Sequence, residues 1–235
     1  MSAAEQSVRA ALEGRGLGAS QLAQLTTVLE VLERDEHAPT TVRTARDAAE
    51  RHLADSLVGL DFDYLIDARV IADLGAGAGF PGLALAVALP AAQVALVESQ
   101  RRKCEFLERI RSAARVENAN VVCTRAEEWA AGTAANDAAV ARALAPQPVV
   151  LEYAAPLLRL GGALLDWRGK RDEREEHASA SAAQELGLER REIRSVQPFA
   201  AATDRHVHVF VKVCATPPRF PRRAGIARKR PLGGL

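Results

Sequence analysis

The segment ADLGAGAGFPGLALAVALP, residues 72–90, places three glycines at alternate positions between an apolar run and a run of helix-forming residues. The residues before the glycines, RVIADL (69–74), predict a short buried strand, and PGLALAVALP (81–90) has the length and composition of a helix. Glycine adopts backbone angles that other residues avoid, and it lets a ligand approach the main chain without meeting a Cβ. Strand, glycine-rich turn and helix together predict a ligand-binding corner of an α/β sheet.

The residues around this turn argue against a dinucleotide ligand. The fingerprint Gly-x-Gly-x-x-Gly requires a third glycine where this chain has Phe80. Asp73 precedes the turn, and its carboxylate would repel a pyrophosphate but attract a cationic ligand. Glu98 ends the next apolar run, AQVALVES (92–99), where a carboxylate accepts hydrogen bonds from ribose hydroxyls. These features favour S-adenosylmethionine, and the alternative is a Rossmann-like corner that binds no nucleotide.

Composition and cysteine usage restrict the class of protein. A chain of 235 residues with 48% hydrophobic and 26% charged residues is typical of a soluble globular protein with one catalytic domain. The amino-terminal residues lack an apolar leader and no apolar run is long enough to cross a bilayer, which predicts a cytoplasmic location and no membrane partner. Cys104, Cys123 and Cys214 lie far apart and form no Cys-x-x-Cys pair, so we expect neither a disulfide framework nor a metal site.

The charge is distributed unevenly along the chain. The formal net charge is +1, yet the stretch RFPRRAGIARKR (219–230) holds six basic residues and no acid, so the rest of the chain is net negative. The basic C-terminal tail, residues 217–235, is consistent with a disordered solubilising end or with an arm that seeks phosphates.

The order of elements predicts two parts before this tail. Residues 1–60 form an N-terminal helical cap of three helices, with Ser20 and Thr44 as candidate N-caps. Residues 61–216 form the catalytic domain, in which strands and helices alternate as in parallel β-α-β units.

The carboxyl-terminal half of that domain completes the sheet. The pattern predicts a helix over 148–160 and a strand over 161–167. RHVHVFVKV (205–213) predicts a strand with two unlike faces that runs antiparallel to its neighbours. The predicted fold is therefore α/β: a Rossmann-like, mixed seven-stranded sheet with the last strand antiparallel, as in class I S-adenosylmethionine-dependent methyltransferases.

The end of the fourth strand, AVARALAPQP (139–148), indicates the type of reaction, because open parallel sheets bind ligands at this edge. Enzymes that methylate exocyclic amines carry an Asn/Asp-Pro-Pro-aromatic turn here, and those that methylate C5 of pyrimidines use a cysteine nucleophile. This chain has Arg142 instead. Guanine N7 has a lone pair and no proton, so its methylation needs no base, and an arginine matches guanine O6 or phosphate. Arg142 is the predicted catalytic residue, and a structural ion pair is the alternative role.

The motifs together resemble one family, the bacterial small-subunit ribosomal RNA guanine-N7 methyltransferases, also called the glucose-inhibited division protein B family. The resemblance is collinear from about His37 to the end of the chain. It rests on RHLADSL (51–57), DLGAGAGFPGLALA (73–86), VESQRRKCEFL (97–107), TRAEEW (124–129), ARALAP (141–146), RHVHVFVKV (205–213) and RFPRRAGIARKRPLG (219–233). It implies S-adenosylmethionine as the cofactor and 16S rRNA or the small ribosomal subunit as the partner.

Motifs and resemblance together predict two sets of residues. The cofactor-binding set is Asp73, Gly75, Gly77, Gly79, Phe80, Glu98, Ser99, Ala126, Glu127 and Arg142. The set that binds RNA phosphates is Arg102, Lys103, Arg125, Arg168, Arg205, Arg222 and Arg223. For each of these basic residues the alternative is a solvated surface charge.

Two departures from the family pattern bear on the substrate. Ala38-Pro39-Thr40 stands where the family has Asn-Leu-Thr, and Arg168-Gly169 stands where it has Lys-Gly. His52 and Asp55 are predicted to be an architectural pair. A small-molecule methyltransferase and a non-catalytic, S-adenosylmethionine-binding ribosome assembly factor remain the rival functions. The oligomeric state stays open, because a helical cap serves equally as an interface or as a lid.

Overall fold

The computed structural model describes residues 1–42 and 44–234, and its centre is one seven-stranded sheet. The strands are β1 (Val70–Leu74), β2 (Gln93–Glu98), β3 (Ala119–Cys123), β4 (Asn136–Arg142), β5 (Leu158–Arg168), β6 (Leu188–Ser195) and β7 (His206–Lys212). Their order across the sheet is β3-β2-β1-β4-β5-β7-β6. The pairs from β3 to β5 are parallel, and β7 is antiparallel to both β5 and β6. The predicted mixed sheet with an antiparallel last strand is confirmed.

Helices cover both faces of this sheet. They are α1 (Ala3–Ala11), α2 (Ala19–Arg34), α3 (Ala45–Ala48), α4 (Asp55–Leu57), α5 (Asp63–Ile66), α6 (Gly82–Ala88), α7 (Arg101–Ala113), α8 (Gln147–Ala154), α9 (Glu173–Leu186) and α10 (Ile226–Lys229). One apolar core joins the N-terminal helices, α6 and α7 to the sheet, and a second core joins α8 and α9 to its other face. Among the described residues, no helix combines the length and apolarity that a membrane crossing requires.

The N-terminal helices pack as their apolar spacing predicts. Leu25, Leu29 and Leu32 of α2 are buried against the first core. The Thr44 side chain caps α3, because its oxygen accepts a hydrogen bond from the Asp47 N–H. The prediction of Ser20 as a cap is wrong: α2 begins after Gly18, and the Gln21 side chain accepts the hydrogen bond from the Gly18 N–H.

The segment after β4 departs from its prediction in length. The helix expected over 148–160 ends at Ala154, and β5 begins at Leu158. Pro156 lies between them and has no N–H for a further helical hydrogen bond. The carbonyls of Ala155 and Leu158 instead accept hydrogen bonds from Lys212 Nζ, both at 2.7 Å, which explains how a lysine is buried in β7.

The expectation that the cysteines form no disulfide is wrong for one pair. Cys104 of α7 and Cys123 at the end of β3 form a disulfide, with their Cα atoms 5.8 Å apart. Parallel pairing of β2 with β3 places Glu98 opposite Cys123, and α7 follows β2 directly and brings Cys104 back over this edge. This proximity is produced by strand pairing, so the spacing of cysteines along the sequence does not reveal it.

Candidate functional site

The glycine turn follows β1 at the carboxyl edge of the sheet. Gly75, Gly77 and Gly79 have φ angles of 71°, 56° and 99°, in the left-handed region that favours glycine. A Cβ at Gly75 would lie 2.5 Å from a side-chain carbon of Leu144, so a larger residue would have both to displace that side chain and to adopt a strained φ. The backbone geometry of the turn therefore favours glycine at these positions, as the sequence predicts.

A cleft of about 570 Å³ opens beside this turn at the ends of β1 to β4. We call it the glycine-loop cleft. Five residues of the predicted cofactor set line it together: Gly75, Glu98, Ser99, Ala126 and Glu127. Strands distant in sequence thus place the glycine turn, the carboxylate after β2 and the turn after β3 around one space.

Glu98 is held rigidly at the wall of this cleft. Its Oε2 accepts a hydrogen bond from the Gly77 N–H at 3.2 Å, and its Oε1 accepts one from the Gln100 N–H at 2.8 Å. A carboxylate oxygen has room for further bonds, so these two donors orient the group without saturating it. An oriented carboxylate at the end of β2 fits the ribose diol of the predicted cofactor, and the bare turn fits a ligand that lies close to the main chain.

Asp73 lies beneath the turn. The residue is 1% exposed, and its Oδ2 accepts a hydrogen bond from the Gly82 N–H at 2.8 Å. A Cβ on Gly82 would come within 2.5 Å of that oxygen, so the start of α6 must be glycine. Burial raises the pKa of Asp73 to about 7, although the Gly82 hydrogen bond and Arg142 oppose this. Asp73 shapes the turn through its hydrogen bond with Gly82. Any electrostatic effect of Asp73 on a cationic ligand acts over a distance and not by direct contact.

Arg142 ends β4 and is held by the helical cap. Its Nη1 donates to Asp55 Oδ2 at 2.8 Å and to the Arg51 carbonyl at 3.1 Å, and its Nη2 lies 3.2 Å from His52 Nδ1. The Phe80 ring stacks on His52 with centroids 4.7 Å apart, and the guanidinium lies 5.8 Å from the Phe80 centroid. Phe80, the residue that breaks the dinucleotide fingerprint, therefore supports the predicted catalytic arginine.

His52 is uncharged in this arrangement. Burial, and then the charge of Arg142, lower the pKa of His52 to about 4. A neutral ring that accepts from Arg142 at Nδ1 carries its proton on Nε2, which lies 2.9 Å from Thr40 Oγ1. The π-helical segment Ala49–Ala54, between α3 and α4, carries this histidine. Such segments occur often at functional sites.

A second cleft, of about 370 Å³, is lined by Arg142 itself. We call it the arginine cleft. Its lining includes Arg51, His52, Asp55, Arg142, Ala143, Trp167, Arg168, Arg205 and His206. The sequence places His52 and Asp55 in an architectural pair and does not connect them with Arg142, which lies about 90 residues further along the chain. The only signal for this connection is that both motifs, RHLADSL and ARALAP, belong to the same resemblance.

The predicted RNA-binding residues fall into two groups. Five of them are exposed or half-buried: Arg102, Lys103, Arg125, Arg205 and Arg223. Of these, Lys103 and Arg125 line the glycine-loop cleft, and Arg205 lines the arginine cleft. The other two are held by acidic side chains. Arg168 forms an ion pair with Glu175, and Arg222 forms one with the buried Glu152. These ion pairs occupy donors that the prediction assigns to RNA phosphates.

Comparison with known proteins agrees with this geometry. A family model described as rRNA small subunit methyltransferase G matches residues 20–207. The ribosomal RNA small subunit methyltransferase G of Syntrophomonas wolfei is 40% identical over 202 residues, which cover 85% of this chain and 94% of that protein. The protein of the same name from Desulfitobacterium hafniense is 35% identical over 196 residues, covering 82% of this chain and 81% of that one.

Solved structures share the fold at low sequence identity. An O-methyltransferase family protein from Burkholderia thailandensis superposes with a TM-score of 0.56 at 15% identity, covering 72% of this chain and 59% of that chain. A 16S rRNA (adenine(1408)-N(1))-methyltransferase mutant from Catenulisporales acidiphilia gives a TM-score of 0.54 at 17% identity, covering 63% and 86%. These likenesses establish the class I methyltransferase fold.

Proposed function

Because the chain belongs to the rRNA small subunit methyltransferase G family, we propose that it transfers the methyl group of S-adenosylmethionine to N7 of a guanine in small-subunit rRNA. One observation carries the proposal. Ala143, directly after Arg142, lines both the glycine-loop cleft and the arginine cleft. A methyl donor in the first cleft and a guanine in the second would meet beside Arg142.

The glycine-loop cleft supports the cofactor assignment. Glu98 would accept hydrogen bonds from the ribose hydroxyls, Ser99, Ala126 and Glu127 would contact the nucleoside, and Gly75 would lie under the ligand. Asp73, Gly77, Gly79 and Phe80 would act by shaping the turn. S-adenosylmethionine supplies the electrophilic methyl carbon when bound.

The arginine cleft supports a reaction without a general base. Guanine N7 presents an in-plane lone pair, so the enzyme has to position the base and need not remove a proton. His52 has a low pKa and Asp55 is ion-paired, which suits a site that does not accept protons. Within the described part of the chain Arg142 uses three of its five N–H groups, and the remaining two would donate to guanine O6 or a phosphate.

The basic surface supports an RNA substrate. The exposed cations around the clefts would bind the phosphates that flank the guanine. The reaction would take place in the cytoplasm, with the small ribosomal subunit as the partner. Arg125 and Lys103 border the glycine-loop cleft, and Arg205 borders the arginine cleft, with its Nε 3.9 Å from Asp55 Oδ1. For Arg168 and Arg222, we propose that the main role is in their ion pairs and not in RNA binding.

The test is transfer of a labelled methyl group to 16S rRNA and small subunits from a strain that lacks this gene, followed by mapping of the modified base. Arg142→Ala should lower transfer about 100-fold or more, as expected when a preorganised donor is removed, with a much smaller change in cofactor affinity. Arg101→Ala is a matched control, because that side chain is 90% exposed and its ion-pair partner within residues 1–42 and 44–234 is Glu105 alone.

The outcomes separate the rival functions. A single N7-methylguanine that is lost in Arg142→Ala and kept in Arg101→Ala supports the proposal. Turnover without RNA would indicate a small-molecule methyltransferase. Salt-dependent RNA binding and cofactor binding without transfer would indicate an assembly factor, and unchanged transfer by Arg142→Ala would overturn the role of Arg142.

A further inference from the structure

The C-terminal segment, residues 217–234, is folded onto the domain. Phe220 is 7% exposed and belongs to the second apolar core. Gly233 has a φ of 73°, and a Cβ there would lie 2.1 Å from the Ala178 carbonyl oxygen, so the segment passes directly over α9. The C-terminal segment, which the sequence predicts to be a basic tail, is therefore a structural part of the domain.

A buried ion pair anchors the middle of this segment. Glu152 of α8 is 0% exposed, and its Oε1 accepts hydrogen bonds from Arg222 Nε at 2.8 Å and from the Arg222 backbone N–H at 3.2 Å. Arg222 Nη2 donates to Glu152 Oε2 and, at 2.9 Å, to the Arg230 carbonyl. Arg222 thus fixes both the position of the segment and the turn of chain that follows it.

The next residues bridge two walls of the glycine-loop cleft. The Gly225 N–H donates to Glu127 Oε1 at 3.1 Å, in the turn after β3. Arg228 Nη2 donates to the Leu144 carbonyl at 3.0 Å, in the loop after β4. The segment therefore joins the turn after β3 to the loop after β4, and both of these elements contribute lining residues to the cleft.

Arg228 itself lines the glycine-loop cleft. Its side chain is exposed and its guanidinium lies beside the hydroxyl of Tyr153, another lining residue. A guanidinium has five N–H donors, and the Leu144 carbonyl takes one of those of Arg228. A guanidinium repels the ammonium and sulfonium of S-adenosylmethionine, but it suits an adenine ring, which offers nitrogen acceptors and an electron-rich face.

We infer that Arg228 is a cofactor-binding residue that holds the adenine of S-adenosylmethionine, and that the C-terminal segment forms one wall of the cofactor site. The inference rests on the cofactor named in the proposed function and needs no RNA. Two contacts made by the segment, Arg222 with Glu152 and Gly225 with Glu127, position the arginine for this role.

The experiment is calorimetric titration of the full-length protein with S-adenosylmethionine and with 5′-methylthioadenosine, which keeps adenosine and lacks the amino acid part. Arg228→Ala should weaken both ligands about 10-fold, the effect of one lost charged contact. Lys229→Ala removes a neighbouring exposed cation from the same short helix and should leave both affinities unchanged. Arg228→Gln, which keeps a donor for Leu144, replaces the alanine variant if that variant unfolds.

Each result decides the inference. Equal weakening of both ligands supports the adenine contact. Weaker binding of S-adenosylmethionine alone would indicate that Arg228 contacts the carboxylate of the ligand's amino acid part, which would overturn the assignment. Unchanged affinities for both ligands would show that Arg228 is not part of the site. If wild type binds both ligands but transfers no methyl to RNA, only the proposed function fails. If wild type binds neither ligand, both fail.

Discussion

Asp73→Asn should change the pH dependence of stability, because the carboxyl group that it replaces is buried with only one hydrogen bond. Asp73 Oδ2 has one hydrogen bond, from Gly82, and Oδ1 has no partner among the described residues. Burial raises the pKa from an ordinary value of 3.8 to about 7. Between these values the folded chain holds a proton that the unfolded chain has released, so Asp73 stabilises the fold at low pH and this stabilisation is lost as the pH rises through 7.

The expected size follows from linkage. Within that interval each pH unit is worth about 1.4 kcal/mol, so Asp73 should lower the free energy of unfolding of the wild type by about 3 kcal/mol between pH 5 and pH 8. Asparagine keeps an acceptor for Gly82 and does not titrate. Any cost of placing the amide at the Oδ1 position is the same at both pH values. The difference in free energy of unfolding between the variant and the wild type should therefore shift by about 3 kcal/mol in favour of the variant over this range.

Urea unfolding of both proteins at pH 5 and pH 8 measures this shift. Asp137→Asn is the matched control: burial favours a higher pKa there, but hydrogen bonds from Arg159 and from the Arg69 backbone outweigh it and lower the pKa. Its pKa therefore lies below the measured range, and the effect of the substitution should be equal at both pH values. A difference for Asp73→Asn that does not depend on pH would mean that this carboxyl group is ionised throughout, which would refute the argument from burial.

Two further changes test the packing around the site. Reduction of the Cys104–Cys123 disulfide should lower the free energy of unfolding by about 3 kcal/mol, since the bond closes a loop with a sequence separation of 19. Cys214→Ser, which removes the free exposed cysteine, is the control. No change in stability on reduction would contradict a formed bond. Arg222→Met should cost about 3–5 kcal/mol in denaturant unfolding, because it leaves Glu152 charged and buried. Glu152→Gln should cost less, since water reaches part of Arg222, and equal costs would argue against this asymmetry.

Much of the fold is visible in the sequence because it depends on neighbours along the chain. Short apolar runs identify most of the strands and apolar alternation identifies β7. The glycines at 75, 77 and 79 mark the turn after β1, and the order of elements predicts a parallel sheet with an antiparallel last strand. The glycine-loop cleft follows from the same logic, since the carboxyl ends of adjacent parallel strands must meet at one edge.

The partners of buried charges depend on contacts that local patterns do not contain. Arg142 meets Asp55 and His52 across about 90 residues, and Arg222 meets Glu152 across 70. No periodicity or spacing predicts which carboxylate neutralises which arginine, so Arg222 reads as a free cation in the sequence.

The sequence by itself therefore determined the class I methyltransferase fold, the glycine turn and several of the residues that line the glycine-loop cleft. Tertiary structure alone decided that His52 is neutral against Arg142, that Cys104 bonds to Cys123, and that Arg228 of the basic C-terminal segment lines the glycine-loop cleft. The physical reason is that secondary structure is encoded by short-range periodicity and backbone preference. Burial and charge pairing, in contrast, exist only after distant segments have packed together.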